Sequence, residues 1–158
     1  MFGLFKKTKV NQNGILFAPV EGELIRPSEI NDAVFSQQMM GPTVGFHPSD
    51  STVFSPVNGT IEAVFPTGHA VGIRANSGEE WLIHVGIDTV SLNGKGFTTY
   101  IKQGQRIKAG DKLLEVDLDL LRSHHLDSTV MLILTSGVSR MNELPYGNVH
   151  KNQVLLTN

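Results

Sequence analysis

Two histidines carry the chemistry that this sequence could perform. His69 lies in Thr67-Gly68-His69-Ala70, and His84 opens His84-Val85-Gly86-Ile87-Asp88-Thr89. An imidazole with its ordinary pKa of about 6.5 is largely neutral at pH 7, with one ring nitrogen free as a nucleophile. Such a nitrogen can accept a phosphoryl group and pass it on. That transfer needs mainly positioning and stabilisation of charge on the equatorial oxygens. A second imidazole N–H beside the first would supply the stabilisation. Two rings this close would titrate as a pair. The same pair could instead hold a metal, or both could be satisfied structural histidines.

The elements between them explain how they would meet. Val71-Gly72-Ile73, the turn residues Ala75-Asn76-Ser77-Gly78 and Trp81-Leu82-Ile83 read as a β-hairpin. A hairpin brings positions 69 and 84 side by side. Strand alternation puts Leu82, His84 and Gly86 on one face. Trp81, Ile83, Val85 and Ile87 fall on the other, which reads as core. By the same parity Phe65, Thr67, His69 and Val71 share a face, so Thr67 is placed to hydrogen-bond His69 and fix its tautomer. Gly86 has no side chain to block an approaching partner.

The rest of the chain reads as all-β. Its 16 glycines and 7 prolines separate short runs rich in Val, Ile, Phe and Thr. Two short helices are expected, about one turn each, within Ile30 to Met40 and Asp119 to His125. Ser28-Glu29 and Asn31-Asp32 supply capping chemistry to the first. One octapeptide occurs twice: Phe17-Ala18-Pro19-Val20-Glu21-Gly22-Glu23-Leu24 and Phe54-Ser55-Pro56-Val57-Asn58-Gly59-Thr60-Ile61. The repeat suggests a duplicated β-motif. Gly104 to Asp117 adds a strand, a tight Ala109-Gly110-Asp111 turn and another strand. A carrier hairpin would hold a lysine at that tip, and here the lysines only flank it.

At 158 residues the chain fits one domain, expected over 13–158 behind a flexible tail of residues 1–12. A net charge of -2 argues against nucleic acid as the main partner. Without cysteine there is no disulfide framework and no thiolate metal site. No apolar run approaches the ~18 residues that would span a membrane. Met1 to Lys9 mixes apolar and basic residues and could touch an anionic membrane surface weakly. It lacks the features of a secretory signal, so a cytoplasmic protein is expected. The opening methionine and short tail favour a free-standing protein over a domain cut from a longer permease, without deciding between them.

The segments Phe65 to Ala70 and Leu82 to Val90 together resemble the glucose-family enzyme IIA component of the bacterial phosphoenolpyruvate-dependent sugar phosphotransferase system. The resemblance extends to Ala18 to Gly22, Ser55 to Ile61, Leu92 to Phe97 and Gly104 to Asp111. It implies a flattened antiparallel β-barrel or sandwich. It also implies that His84 accepts phosphate from the phosphocarrier HPr at Nε2 and passes it to a cysteine on the IIB domain of a sugar permease. His69 would be the stabilising partner, Thr67 its orienter, and the Gly86 carbonyl the holder of the other His84 nitrogen. Asp88 would lie at the rim, near partner arginines and lysines, or else be only a turn residue. An apolar docking ring is expected from Val34, Phe35, Met39, Met40, Phe65, Val71 and Leu82. Many family members carry Phe where this chain has Val71 and Leu82, which thins the aromatic rim.

No cofactor is required by this reading. A zinc shared by His69, His84 and a partner's carboxylate would belong to a second, regulatory role on the same surface, with transporters or metabolic enzymes as partners. A zinc endopeptidase of the lysostaphin type is a further alternative, but such a site usually has three protein ligands. His47, His124, His125 and His150 read as surface or structural residues. The segment Tyr146 to Leu156 fits a closing strand only loosely.

Overall fold

Short β-branched and aliphatic runs between glycines and prolines fold as strands throughout. The structure is a computed structural model and describes residues 13–157. The tail expected over 1–12, and its membrane contact through residues 1–9, lie outside the described residues. The strands are β1 (Leu16–Phe17), β2 (Gly22–Ile25), β3 (Thr43–Pro48), β4 (Thr52–Phe54), β5 (Gly59–Val64), β6 (Ala70–Ala75) and β7 (Glu80–Val85). They continue with β8 (Phe97–Thr99), β9 (Arg106–Ile107), β10 (Lys112–Val116), β11 (Val130–Ser136), β12 (Gly147–Val149) and β13 (Val154–Leu156). Of two short α-helices, α1 (Ala33–Ser36) falls inside its expected segment, and α2 (Leu118–Ser123) overlaps its own but starts one residue earlier. The Asp32 carboxylate caps α1 by accepting from the N–H groups of Val34 and Phe35. A 3-10 turn over Thr89–Leu92 was not foreseen from the sequence.

All strand pairings are antiparallel. Eight strands form one sheet in the order β12-β2-β3-β11-β7-β6-β5-β9, and β12 and β9 remain its edges, so the sheet does not close into a barrel. Two small sheets, β1-β13 and β4-β10-β8, cover it in sandwich fashion. Between them lies the main core, where Val44, Phe46, Val71, Ile73, Trp81 and Ile83 meet Leu16, Val53, Leu113, Leu114 and Leu156. The outer face of the large sheet carries a smaller cluster: Ile25, Ile30, Phe35, Ile87, Met131 and Ile133, with Leu82 against them.

The repeated octapeptide is an architectural duplication. The two copies bind each other reciprocally: Phe17 N–H donates to the Pro56 carbonyl at 2.8 Å, and Phe54 N–H donates to the Pro19 carbonyl at 2.7 Å. Each copy then opens a strand of the large sheet, β2 or β5, and each of these pairs with a further edge strand, β12 or β9. The duplication also embraces the C-terminal segment that the sequence left loosely placed. Ala18 N–H bonds the Gln153 carbonyl where Ser55 N–H bonds the Asp111 carbonyl, both at 2.8 Å. The turn before β13 is closed by Gln153 bonding His150 N–H, as Asp111 bonds Lys108 N–H before β10. Val149-His150-Lys151-Asn152-Gln153-Val154-Leu155-Leu156 is therefore the counterpart of Ile107-Lys108-Ala109-Gly110-Asp111-Lys112-Leu113-Leu114.

The two halves meet at the β7–β11 pairing in the middle of the sheet. There the equivalence reaches the histidines. Val85 N–H bonds the His69 carbonyl at 2.7 Å, and in the other half Leu134 N–H bonds the Pro42 carbonyl at 2.9 Å. Likewise His84 lies opposite Ala70 and Ile133 opposite Thr43. Pro42 and Ile133 thus hold the places of His69 and His84 in the other half.

Gly22 and Gly59 are the close-approach points of the duplication. A Cβ on either would lie 2.1 Å from a neighbouring backbone carbonyl, that of His47 or Arg74. Backbone cannot yield as a side-chain tip can. Gly59→Ala should therefore destabilise the protein by about 1–3 kcal/mol, read as a lower urea midpoint. A parental midpoint would contradict this packing.

Candidate functional site

His84 and His69 come together on the outer face of the large sheet. Alternation along β7 buries Trp81, Ile83 and Val85 in the main core and turns Leu82 and His84 outward. Ala70 lies opposite His84 across the β6–β7 pairing, so His69 arrives at its side. The ring centroids are 4.9 Å apart and the rings nearly perpendicular, at 79°. Phe35 of α1 packs on His84 at 5.0 Å, and Phe65 meets His69 edge-on at 5.7 Å. His69 is buried and His84 half-buried.

Each ring is fixed through Nδ1. That of His84 lies 2.9 Å from the Gly86 carbonyl. A carbonyl only accepts, so Nδ1 carries the proton and Nε2 keeps its lone pair. Nδ1 of His69 lies 2.5 Å from the Thr67 hydroxyl. The expected partnership of Thr67 and His69 is present, but strand parity does not produce it. Residues 66–69 form a turn before β6 begins at Ala70.

Gly86 ends the alternation. Its φ of 79° belongs to the left-handed region, and a Cβ there would lie 2.3 Å from Thr89 Cγ2. The bend moves Ile87 out of the core face predicted for it and into the outer cluster beside Phe35. Asp88 follows, exposed, in a left-handed conformation that starts the 3-10 turn.

Burial pushes the His84 pKa down, the neighbouring His69 adds to this, and the Gly86 carbonyl, Asp32 and Asp88 oppose it. Burial likewise pushes His69 down. The outcome is a pair of imidazoles biased toward the neutral form.

The predicted apolar ring divides. Val34, Met39, Met40 and Phe65 are exposed, and Leu82 is half-buried. Phe35 is largely buried, with its ring against His84. Val71 is a correction: it is fully buried in the main core, because β6 alternation turns it away from the histidine face. Val90, beside Asp88, is exposed and was missed. So was Asp32, foreseen only as helix-capping chemistry although its charge acts on His84. Among the described residues, no group of three or more His, Asp or Glu is placed to hold a metal. His69 and His84 offer two ligand atoms, which suits a shared ion better than a resident one.

Comparisons with known proteins bear on the family and the fold. The family model of EIIA 1 of the phosphoenolpyruvate-dependent sugar phosphotransferase system matches residues 14–139. The chain belongs to that family. Among solved structures it is similar to the glucose permease IIA from Mycoplasma capricolum. That similarity has a TM-score of 0.85 and 36% sequence identity, covering 92% of this chain and 95% of that one. The protein is thus a glucose-family EIIA, a phosphotransferase component of the sugar phosphotransferase system. The endopeptidase alternative finds no support in this membership. No helix among the described residues of this EIIA is long and apolar enough to cross a membrane.

The depressed histidine pKa values have a consequence for stability. Where the folded pKa lies below the unfolded one, the unfolded chain binds more protons, so stability rises with pH in that interval. Stability should therefore be lost as pH falls below about 6.5. Urea midpoints at about pH 7.5 and about pH 5.5 should differ in that sense, and His69→Gln should narrow the difference. An undiminished difference in His69→Gln would mean that His69 is not its source.

Proposed function

We propose that this EIIA receives a phosphoryl group from phospho-HPr on Nε2 of His84 and delivers it to the cysteine of a permease IIB domain. The observation that carries the reading is the Gly86 carbonyl on Nδ1, which leaves the lone pair of a neutral imidazole at Nε2. In the first step the N–P bond of phospho-HPr breaks as the Nε2–P bond of His84 forms. In the second, the IIB thiolate takes the group and His84 returns to its neutral form.

His69 acts beside it. With the Thr67 hydroxyl donating to Nδ1, the His69 proton sits on Nε2 and serves the phosphoryl oxygens as they gather charge. Asp32 and Asp88 place negative charge near the acceptor, which favours arginines and lysines on an approaching partner. Val34, Met39, Met40, Phe65 and Val90 supply exposed apolar surface around the histidines, the kind of area that binds a partner. Phosphorylation adds about -1.5 to -2 charges at the middle of that surface. Unphosphorylated and phosphorylated forms therefore present different faces, which supports a regulatory role toward transporters or enzymes. A zinc held by both histidines would need its remaining ligands from such a partner and would compete with phosphorylation for the same nitrogen. The transfer itself requires no cofactor, and a cytoplasmic setting suits partners of this kind.

The test is intact-mass analysis with phosphoenolpyruvate, enzyme I and HPr. One acid-labile, alkali-stable phosphoryl group should appear on the parent and none on His84→Ala. His69→Gln should still accept the group but pass it to IIB about 100-fold more slowly or worse. Labelling of His84→Ala would remove His84 from the acceptor role, and parental transfer by His69→Gln would remove His69 from the stabilising one.

A further inference from the structure

The bend at Gly86 is held from the opposite strand. The peptide joining Gly86 to Ile87 is trans, so its C=O and N–H point in opposite directions. Its N–H donates to the Asp127 carbonyl at 3.0 Å, and its C=O accepts from His84 Nδ1 at 2.9 Å. Fixing one end of this unit aims the other. The preceding peptide is fixed as well: Gly86 N–H donates to the Thr129 carbonyl at 2.8 Å, and the Val85 carbonyl accepts from the Thr89 hydroxyl at 2.5 Å. The strand ladder between β7 and β11 ends at Val85 and Val130, so these bonds extend it along a turn, 127–129.

The Asp127 side chain builds that turn. One carboxylate oxygen accepts both the Thr129 N–H at 2.8 Å and the Thr129 hydroxyl at 2.6 Å. The other accepts from the Asn31 amide at 3.3 Å, and Asn31 immediately precedes the cap of α1, whose Phe35 lies on His84. Burial raises the Asp127 pKa, but the bonds from Thr129 and Asn31 and the influence of His47 outweigh it and hold the carboxyl below its usual range.

We propose that Asp127 is a positioning residue for phosphoryl acceptance: its carboxylate shapes the turn that aims the Gly86 carbonyl at His84 Nδ1. Asp127 thereby selects the tautomer that leaves Nε2 free. This inference rests on the reading of His84 as the phosphoryl acceptor. Asp127 acts through two intervening peptides and does not itself meet the phosphoryl group.

Two readouts on the full-length chain test it: nitrogen NMR of the labelled His84 ring at neutral pH, and the rate of labelling by phospho-HPr. The parent should show a proton on Nδ1 alone. Asp127→Ala should give mixed His84 tautomers and slow acceptance by at least about tenfold. Asp127→Asn keeps an acceptor oxygen and should restore both the single tautomer and the rate. Thr129→Val, which removes only the hydroxyl bond, should move both readouts in the same direction as Asp127→Ala and serves if that variant does not fold. A single Nδ1–H tautomer and parental rate in Asp127→Ala, or in Thr129→Val where that replaces it, would overturn the proposal. So would an Asp127→Asn protein no better than Asp127→Ala. A parent whose His84 is never labelled, with the tautomer responding as expected, would instead count against the acceptor reading alone.

Discussion

The antiparallel pairing of Trp81–Val85 with Val130–Leu134 is the seam on which the rest of the structure depends. It joins the two halves of the duplicated architecture at the centre of the large sheet. Its inner face supplies Trp81, Ile83, Leu132 and Leu134 to the main core, while its outer face presents His84. A slip by one residue would exchange those faces and bury the imidazole. The main core therefore enforces the position of the His84 ring through the register of β7. The main core and the imidazole are thus coupled through register, while Phe35 of the smaller cluster packs on the ring directly.

From that seam the site is built mainly of backbone. Where the strand ladder stops, Gly86 bends the chain and offers a carbonyl to His84. His69 is carried in by the turn that precedes β6, and its own carbonyl closes the ladder by accepting from Val85. Main-chain groups are anchored at both ends of their peptides, so they hold a ring with less freedom than a surface side chain would. The side chains that do matter, Thr67, Thr89 and Asp127, mostly secure turns. Such an arrangement suits a transfer whose demands are positional.

Much of this was legible in the residues, and the failures are instructive. The hairpin between the histidines is visible because two alternating runs flank a Gly-containing turn. The outward face of His84 follows from parity, since β7 is a regular strand. Parity fails for Thr67 and His69 because 66–69 is a turn, where periodicity has no meaning; Val71 lies in β6, whose own alternation turns it into the core. It fails again at Ile87, where the left-handed Gly86 breaks the alternation. The C-terminal half of the duplication was hard to recognise because its equivalence lies in backbone bonds. Only the shared Leu-Leu pair and the acceptors Gln153 and Asp111 mark it in sequence. Asp127 acts on the Gly86–Ile87 peptide across chain segments that no local pattern connects, so nothing near it in the sequence announces it, whereas Thr89 bonds the Val85 carbonyl only four residues back.

The duplication leaves one half of the sheet with His69 and His84 and the other with Pro42 and Ile133 in the same places. A face with approximate two-fold symmetry could in principle be gripped by a partner in either of two orientations half a turn apart. Here one orientation meets the imidazoles of His69 and His84, and the other meets Pro42 and Ile133 in their places. The decay of symmetry at these two positions therefore makes the two orientations chemically unlike. On the proposed reading, the atoms that tell the two orientations apart are the same ones that carry the phosphoryl group.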